Sequence, residues 1–370
     1  MADGYYIGQM SGTSLDGIDT AIIKIVDGQY SLIENHSLSW PHDIEQRLRR
    51  LIELGDSLDE MLQLDQICAH YFSRAALQCL EKTNLQPHDI KAIGCHGQTI
   101  RHSPNSEPAY TLQIGNPNTI AEMTGITTIT DFRGRDIAGG GQGAPLAPAF
   151  HAALFRQPDK NRVVLNIGGI ANISILTDAV LTGYDTGPGN RLLDDWIRHC
   201  KKLPYDANGE FAASGTVNRD LLNLLLKDPY FQLPAPKSTG SDYFNLNWLK
   251  KHLYGFSDEP AEDIAEDIQA TLALLTAVTI CDQINQAVED CDEVLVCGGG
   301  VHNTFLMELI RQQLPNSEIT STSTYGIHPD WVEAMAFAWL AHQTLSGLPG
   351  NAANVTGAKG ARVCGGIYQA

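Results

Sequence analysis

Tyr5-Tyr6-Ile7-Gly8-Gln9-Met10-Ser11-Gly12-Thr13-Ser14-Leu15-Asp16-Gly17-Ile18-Asp19 carries an apolar run, a turn-rich loop with two glycines, and the start of a second apolar run. Tyr5 to Gly8 reads as a strand and Ile18 to Val26 as the next, joined through Met10 to Gly17. Asp27-Gly28 turns the chain again, and Tyr30 to Trp40 reads as a third strand. This is an antiparallel meander, not the strand, loop and helix that a Rossmann or Walker unit requires. Helical stretches at roughly 43–54 and 58–83 follow, then a strand from Ile90 to Cys95.

The same plan returns at Arg162-Val163-Val164-Leu165-Asn166-Ile167-Gly168-Gly169-Ile170-Ala171-Asn172-Ile173-Ser174-Ile175-Leu176, again strand, glycine turn, strand. The chain thus reads as duplicated α/β, with domains at 1–155 and 156–370 and terminal helices free to cross over. Each half is expected to present a glycine hairpin to a central cleft. In the second half, Ile264, Ile268, Leu272 and Leu275 recur at helical spacing within about 261–288. Glu293 to Cys297 is a short buried strand running into Gly298-Gly299-Gly300, with a helix opening near His302-Asn303. Pro329 precedes a helix that carries Glu333 and an apolar face of Met335, Phe337, Ala338 and Leu340.

At 370 residues, with 43% hydrophobic and 18% charged residues, the chain is long enough and apolar enough for a packed globular core. Lys and Arg total 25 against 43 Asp and Glu, a net charge of -18 that disfavours nucleic acid as a partner. A phosphate ligand then needs local positive potential from helix N-termini, clustered N–H groups, a few basic side chains or a bound cation. Met1 to Gln9 has no leader-like pattern and no stretch approaches a membrane span, so a cytoplasmic protein without membrane contact is expected. The eight cysteines are scattered without C-x-x-C pairs, which reads as reduced thiols and no structural metal.

Gly12-Thr13-Ser14-Leu15-Asp16-Gly17 lets backbone N–H groups converge on an anion, and is a phosphate-loop candidate; an ordinary Asp-Gly hairpin is the plain alternative. Gly168-Gly169 occupies the equivalent place in the second half, and Gly298-Gly299-Gly300 ends a strand where nucleotides dock. Asp16 and Asp19 are candidates to hold Mg²⁺ directly or through water, with turn or cap roles as the alternative. Asp185, in Tyr184-Asp185-Thr186-Gly187-Pro188-Gly189-Asn190 after a strand Val180 to Thr182, is a candidate general base or else a helix cap. His96-Gly97-Gln98-Thr99 and Asp131-Phe132-Arg133-Gly134-Arg135-Asp136, leading to Gly139–Pro145, read as polar loops suited to a sugar. Arg133 there suits a carboxylate, Arg135 a surface ion pair with Asp, and the glycine run a hinge. Lys237-Ser238-Thr239-Gly240 and Glu333 keep cap and surface readings.

These motifs together resemble the anhydro-N-acetylmuramic acid kinase family. The likeness rests on Gln9 to Asp19, His96 to His102, the glycine run to Ala147-Pro148-Ala149-Phe150-His151, Leu165 to Gly169, Asp185 to Asn190, Pro236 to Gly240, and Val296 to Gly300. The resemblance implies the two-domain fold of the acetate and sugar kinases, heat-shock ATPases and actin, with ATP in the cleft. It implies conversion of 1,6-anhydro-N-acetylmuramic acid, ATP and water to N-acetylmuramic acid 6-phosphate and ADP in peptidoglycan recycling, by a homodimer. Carried over by motif, Asp185 is the base; Gly12, Thr13, Ser14, Leu15, Asp16, Gly17, Ile18 and Asp19 form the first phosphate loop. Gly168, Gly169, Gly298, Gly299 and Gly300 belong to the ATP site, and Thr99, Arg133 and Glu333 to the sugar site.

Overall fold

The computed structural model describes residues 3–12, 15–55, 57–178, 180–254, 256 and 264–370. Its strands are β1 (Gly4–Ser11), β2 (Ile18–Val26), β3 (Gln29–Leu38), β4 (Ile90–Ser103), β5 (Tyr110–Ile114), β6 (Thr128–Thr130), β7 (Arg162–Ile167), β8 (Ile170–Leu176), β9 (Leu181–Pro188), β10 (Glu293–Cys297), β11 (Glu318–Ser321) and β12 (Gly366–Tyr368). The chain divides into two compact units, Met1–Leu154 with Trp331–Ala370, and Phe155–Asp330. The second half expected at 156–370 thus gives up 331–370, which packs with the first unit.

In the first unit the sheet order is β12-β6-β4-β1-β2-β3, with β5 on β4. β1, β2 and β3 form the antiparallel meander, and β1, β4 and β6 run parallel. One face buries Ile7, Ile18 and Ile22 against Leu64, Cys68, Phe72 and Ala76 of the helix Leu58–Glu81. That helix starts where the Ser57 side chain accepts from the Glu60 N–H at 3.1 Å, an N-cap that satisfies an otherwise orphaned donor. On the other face the helix Val332–Leu345 lies directly on β1 and β4. A Cβ on Gly8 would overlap the Ala334 carbonyl oxygen, and one on Gly94 the Phe337 carbonyl oxygen. Two strand glycines thus admit the helix backbone, and their absent side chains fix its height above the sheet.

The second unit repeats the order as β11-β10-β7-β8-β9. β7, β8 and β9 are antiparallel, while β10 runs parallel to both β7 and β11. Val163, Leu165 and Ile167 pack on Ile280 and Ile284 of the helix Ala265–Ala287, and a satellite core gathers Trp196, Leu221 and Phe244. Both units therefore carry a three-stranded meander beside parallel strands, the duplicated α/β plan that the resemblance implied. All eight cysteines are free thiols. No helix among the described residues is long and apolar enough to cross a membrane.

Three local expectations change. His96 to Thr99 is not a loop: β4 continues through it, pairing Gln98 with Ser11 on β1 and Thr99 with Gln113 on β5. Gly97, left-handed at φ 75°, breaks the apolar pattern without breaking the strand. Asp185 lies within β9, opposite Asn172, and the helix Arg191–Lys201 starts at Asn190, so Asp185 caps nothing. Asp131 caps the helix Phe132–Ala138, accepting from Gly134 N–H, so most of that polar loop is helical.

Candidate active site

In the second unit the candidate groups collect at one end of the sheet. Asp185 lies three residues from the end of β9, which pairs with β8 of the β7–β8 hairpin that Gly168-Gly169 closes, and Gly298 to Gly300 follow β10 beside the end of β7. This is the carboxyl end of the parallel strands, where open α/β sheets bind ligands. The half-buried Asp185 carboxylate accepts on Oδ2 from the Ser238 hydroxyl at 3.1 Å and the Thr239 N–H at 3.0 Å. Oδ1 takes no hydrogen bond among the described residues. Burial pushes its pKa above the ordinary carboxylate value, and those two hydrogen bonds hold the rise in check. An anionic oxygen with unshared lone pairs and enhanced basicity can take a proton from a water.

The glycines of this unit sort into two kinds. Gly298, at φ 79°, and Gly300 are required by packing: Cβ atoms there would strike Asn166 and Ile167 on the end of β7. Gly168, Gly169 and Gly299 have no such reason, because a Cβ on each would come no closer than 3.6, 3.9 and 3.9 Å to any protein atom outside its chain neighbours. Their missing side chains leave the backbone groups there uncovered, which suits phosphate oxygens. Asn190 fastens the turn: its N–H donates to Gly168 O at 2.8 Å, and its side-chain amide to Ile167 O at 3.2 Å. The helix Arg191–Lys201 begins there and adds its N-terminal field.

In the first unit Gly12 to Gly17 connects β1 to β2; Thr13 and Ser14 lie outside the described residues. The flanks of the loop are held from below. The buried Ser11 hydroxyl donates to Gln98 Oε1 at 2.7 Å and accepts from Trp40 Nε1 at 3.1 Å, while Gln98 Nε2 donates to Gly12 O at 3.2 Å. Ser11 also has Gly17 O within 2.8 Å. Leu15 and Ile18 are core side chains, 3% and 0% exposed, so only their backbone is free to meet a ligand.

Arg133 donates through Nε to His96 Nε2 at 3.0 Å and through NH1 to Gly143 O at 2.9 Å. Accepting at Nε2 requires a neutral His96, and burial together with the Arg133 charge lowers the imidazole pKa well below its ordinary value. Desolvation brings Arg133 itself down to about 10, opposed by Glu333. No carboxylate among the described residues forms an ion pair with Arg133, so its fork keeps donors for a ligand's carboxylate. Glu333, in the first turn of the helix Val332–Leu345, keeps exposed surface. Desolvation first, then Asp19 and Asp16, raise its pKa, against the pull of Arg133. Asp16, Asp19, Glu333 and Arg133 thus share one electrostatic neighbourhood, whereas Thr99 Oγ1 accepts from Gln113 at 3.4 Å on β4. No group of three His, Cys, Asp or Glu among the described residues is placed to hold a metal alone. The acidic pair instead suits Mg²⁺ arriving with phosphate oxygens.

Two roles were hidden in the sequence. Asp136, read as part of a polar loop, is fully buried and accepts from Asn351, Thr356 and the Gly143 N–H at 2.6, 2.7 and 2.7 Å. It ties Gly143, at the end of the glycine run, to the returning C-terminal segment of the same unit. Ser238 and Thr239, expected as cap or surface residues, hold the Asp185 carboxylate, and no helix starts there.

Residues 4–370 match the family described as anhydro-N-acetylmuramic acid kinase. Proteins curated under that name include one from Pasteurella multocida, 51% identical over 367 residues, covering 98% of this chain and 96% of that one. Another, from Pseudomonas savastanoi pv. phaseolicola, is 49% identical over 370 residues and covers 100% of both chains. A third, from Photobacterium profundum, is 49% identical over 380 residues, again covering 100% of both. Among solved structures, component A of the (R)-2-hydroxyglutaryl-CoA dehydratase of Acidaminococcus fermentans gives a TM-score of 0.48 at 13% identity, covering 92% of this chain and 99% of that one. With about half of all residues shared along its full length, the chain belongs to the anhydro-N-acetylmuramic acid kinase family.

Proposed function

We propose that this kinase opens the 1,6-anhydro bridge of anhydro-N-acetylmuramic acid with water and passes the γ-phosphoryl of ATP to O6, yielding N-acetylmuramic acid 6-phosphate and ADP. The observation that carries the reading is Asp185, with Oδ2 held by two donors and Oδ1 left to a water. The bridge occupies O6, so no hydroxyl is present there for an ordinary kinase to activate. Asp185 takes a proton as water attacks C1, the C1–O6 bond breaks, and O6 attacks the phosphoryl group. The phosphoryl acceptor thereby replaces the general acid of a glycosidase, and one carboxylate serves where two are usual.

The backbone of Gly168, Gly169 and Gly298 to Gly300, with that of Gly12 to Gly17, positions the phosphates, since phosphoryl transfer asks mainly for alignment and charge neutralisation. Mg²⁺, when bound, would be held by Asp16 and Asp19 and would neutralise charge on the phosphates. Arg133 pairs with the lactyl carboxylate of the sugar, and Thr99 and Glu333 with its polar groups. The family resemblance alone extends the reading to a cytoplasmic homodimer in peptidoglycan recycling.

The test is ADP release measured with 1,6-anhydro-N-acetylmuramic acid, N-acetylglucosamine and acetate as acceptors. Strong dependence on the first alone is expected. Equal turnover with N-acetylglucosamine or acetate would make the protein a conventional kinase, and ADP release indifferent to every acceptor would make it a nucleotide switch.

A further inference from the structure

Pro236–Gly240 takes no part in the chemistry above, yet it supplies both hydrogen bonds to the group that does. β9 is the edge strand of its sheet, and at Asp185 its outward backbone is covered by this segment: Asp185 N–H donates to Lys237 O at 3.0 Å. The Tyr230 hydroxyl donates to Asp185 O at 2.8 Å. The segment is itself anchored, because the buried Lys237 ammonium donates to Tyr230 O at 3.3 Å and Phe231 O at 3.4 Å and lies 4.8 Å from the Tyr230 ring centroid. From this anchored frame the Ser238 hydroxyl and the Thr239 N–H converge on one oxygen, Oδ2.

Two donors on one oxygen do two things. They stop the carboxylate rotating, so Oδ1 always faces the same way. They also stabilise the charged form against burial, and so set the pH below which the base is lost. We infer that Ser238 and the Thr239 amide are positioning groups that hold Asp185 in its base-competent rotamer and ionisation state. The inference rests on Asp185 being the base. The titratable residues packed against Asp185 are Tyr230, through its phenol, and Lys237, through its backbone carbonyl, its ammonium being turned to Tyr230 O and Phe231 O. β8 places neutral Asn172 opposite it, and the helix Ala265–Ala287 brings neutral Thr279 beside Gly187 two residues on. No charged side chain contributes to its shift, which leaves the two hydrogen bonds as the groups opposing burial.

The experiment is the pH dependence of kcat for the parent, Ser238→Ala, Ser238→Thr and Asp185→Asn, with melting curves to establish folding. In Ser238→Ala the acid limb moves to higher pH by about half to one unit, with kcat on that limb down about three- to tenfold and KM for ATP and sugar unchanged. Ser238→Thr, which keeps the hydroxyl, restores the parent profile. A merely structural role would lower activity equally at every pH. An acid limb that stays in place in Ser238→Ala, while Asp185→Asn is inactive, overturns the positioning role and leaves the base intact. Near-normal turnover in Asp185→Asn removes the base, and the positioning role with it.

Discussion

A carboxylate with two hydrogen bonds on Oδ2 presents an Oδ1 that takes none among the described residues, and an amide in its place keeps the shape while losing the basicity. Asp185→Asn should therefore cut turnover at least about a hundredfold while sugar and ATP still bind, as separate binding and turnover measurements would establish. Near-normal turnover would remove Asp185 from the chemistry. Arg133 is held end-on by His96 and Gly143, so its remaining donors point as a fixed fork rather than a mobile charge. Arg133→Lys should raise KM for anhydro-N-acetylmuramic acid about tenfold or more, and change little for the anhydro-sugar that lacks the lactyl carboxylate. Equal losses on both sugars would mean that Arg133 does not read the carboxylate. The sequence could nominate Asp185 and Arg133 from residue type and motif. It could not show Ser238 or Thr239 beside Asp185, because those contacts span 53 and 54 positions and no periodicity encodes them.

Glycines mark two different demands on the strands and turns that carry them. Gly8 and Gly94 make room for the helix backbone at Ala334 and Phe337, and Gly298 adopts φ 79° against the end of β7. Gly8→Ala should overpack that contact at a cost of about 1–3 kcal/mol, seen as a fall in Tm of several degrees. Gly168→Ala and Gly299→Ala would make only ordinary contacts, at 3.6 and 3.9 Å, so Tm should hold while KM for ATP rises several-fold, because the methyl covers the backbone groups proposed to meet phosphate. A Tm loss like that of Gly8→Ala would mean that these turns are glycine for packing. Strong apolar runs were readable: β2 and β10 keep the bounds their sequences suggest, Ile18–Val26 and Glu293–Cys297. β4 was not readable past Cys95, since Gly97 and Gln98 carry no strand pattern and it is pairing of Gln98 with Ser11 on β1 and Ile114 on β5 that carries the strand on. The match between Gly8, Gly94 and the small residues of Val332–Leu345 was equally hidden, because its two sides lie at opposite ends of the chain.

The duplicated meander was legible in the whole chain because each copy repeats strand, glycine turn and strand, and both sheets keep that order. The sequence left room for terminal helices to cross over but could not say that 331–370 would, since only packing decides where a terminal helix lands. A chain of net charge -18 has no general attraction for ATP, so local backbone donors must supply it, and the glycine turns at the carboxyl ends of the strands are where such donors collect. The proposed function divides the labour accordingly, with the polar backbone for phosphate, Arg133 for the sugar's carboxylate and Asp185 for the water. Running one turnover in oxygen-18 water and reading the product by mass spectrometry, before the anomeric oxygen exchanges, tests directly whether water attacks C1 and O6 the phosphoryl group. The label should appear on C1 of the sugar and be absent from the phosphate. Label in the phosphate would show that water, and not O6, met the phosphoryl group.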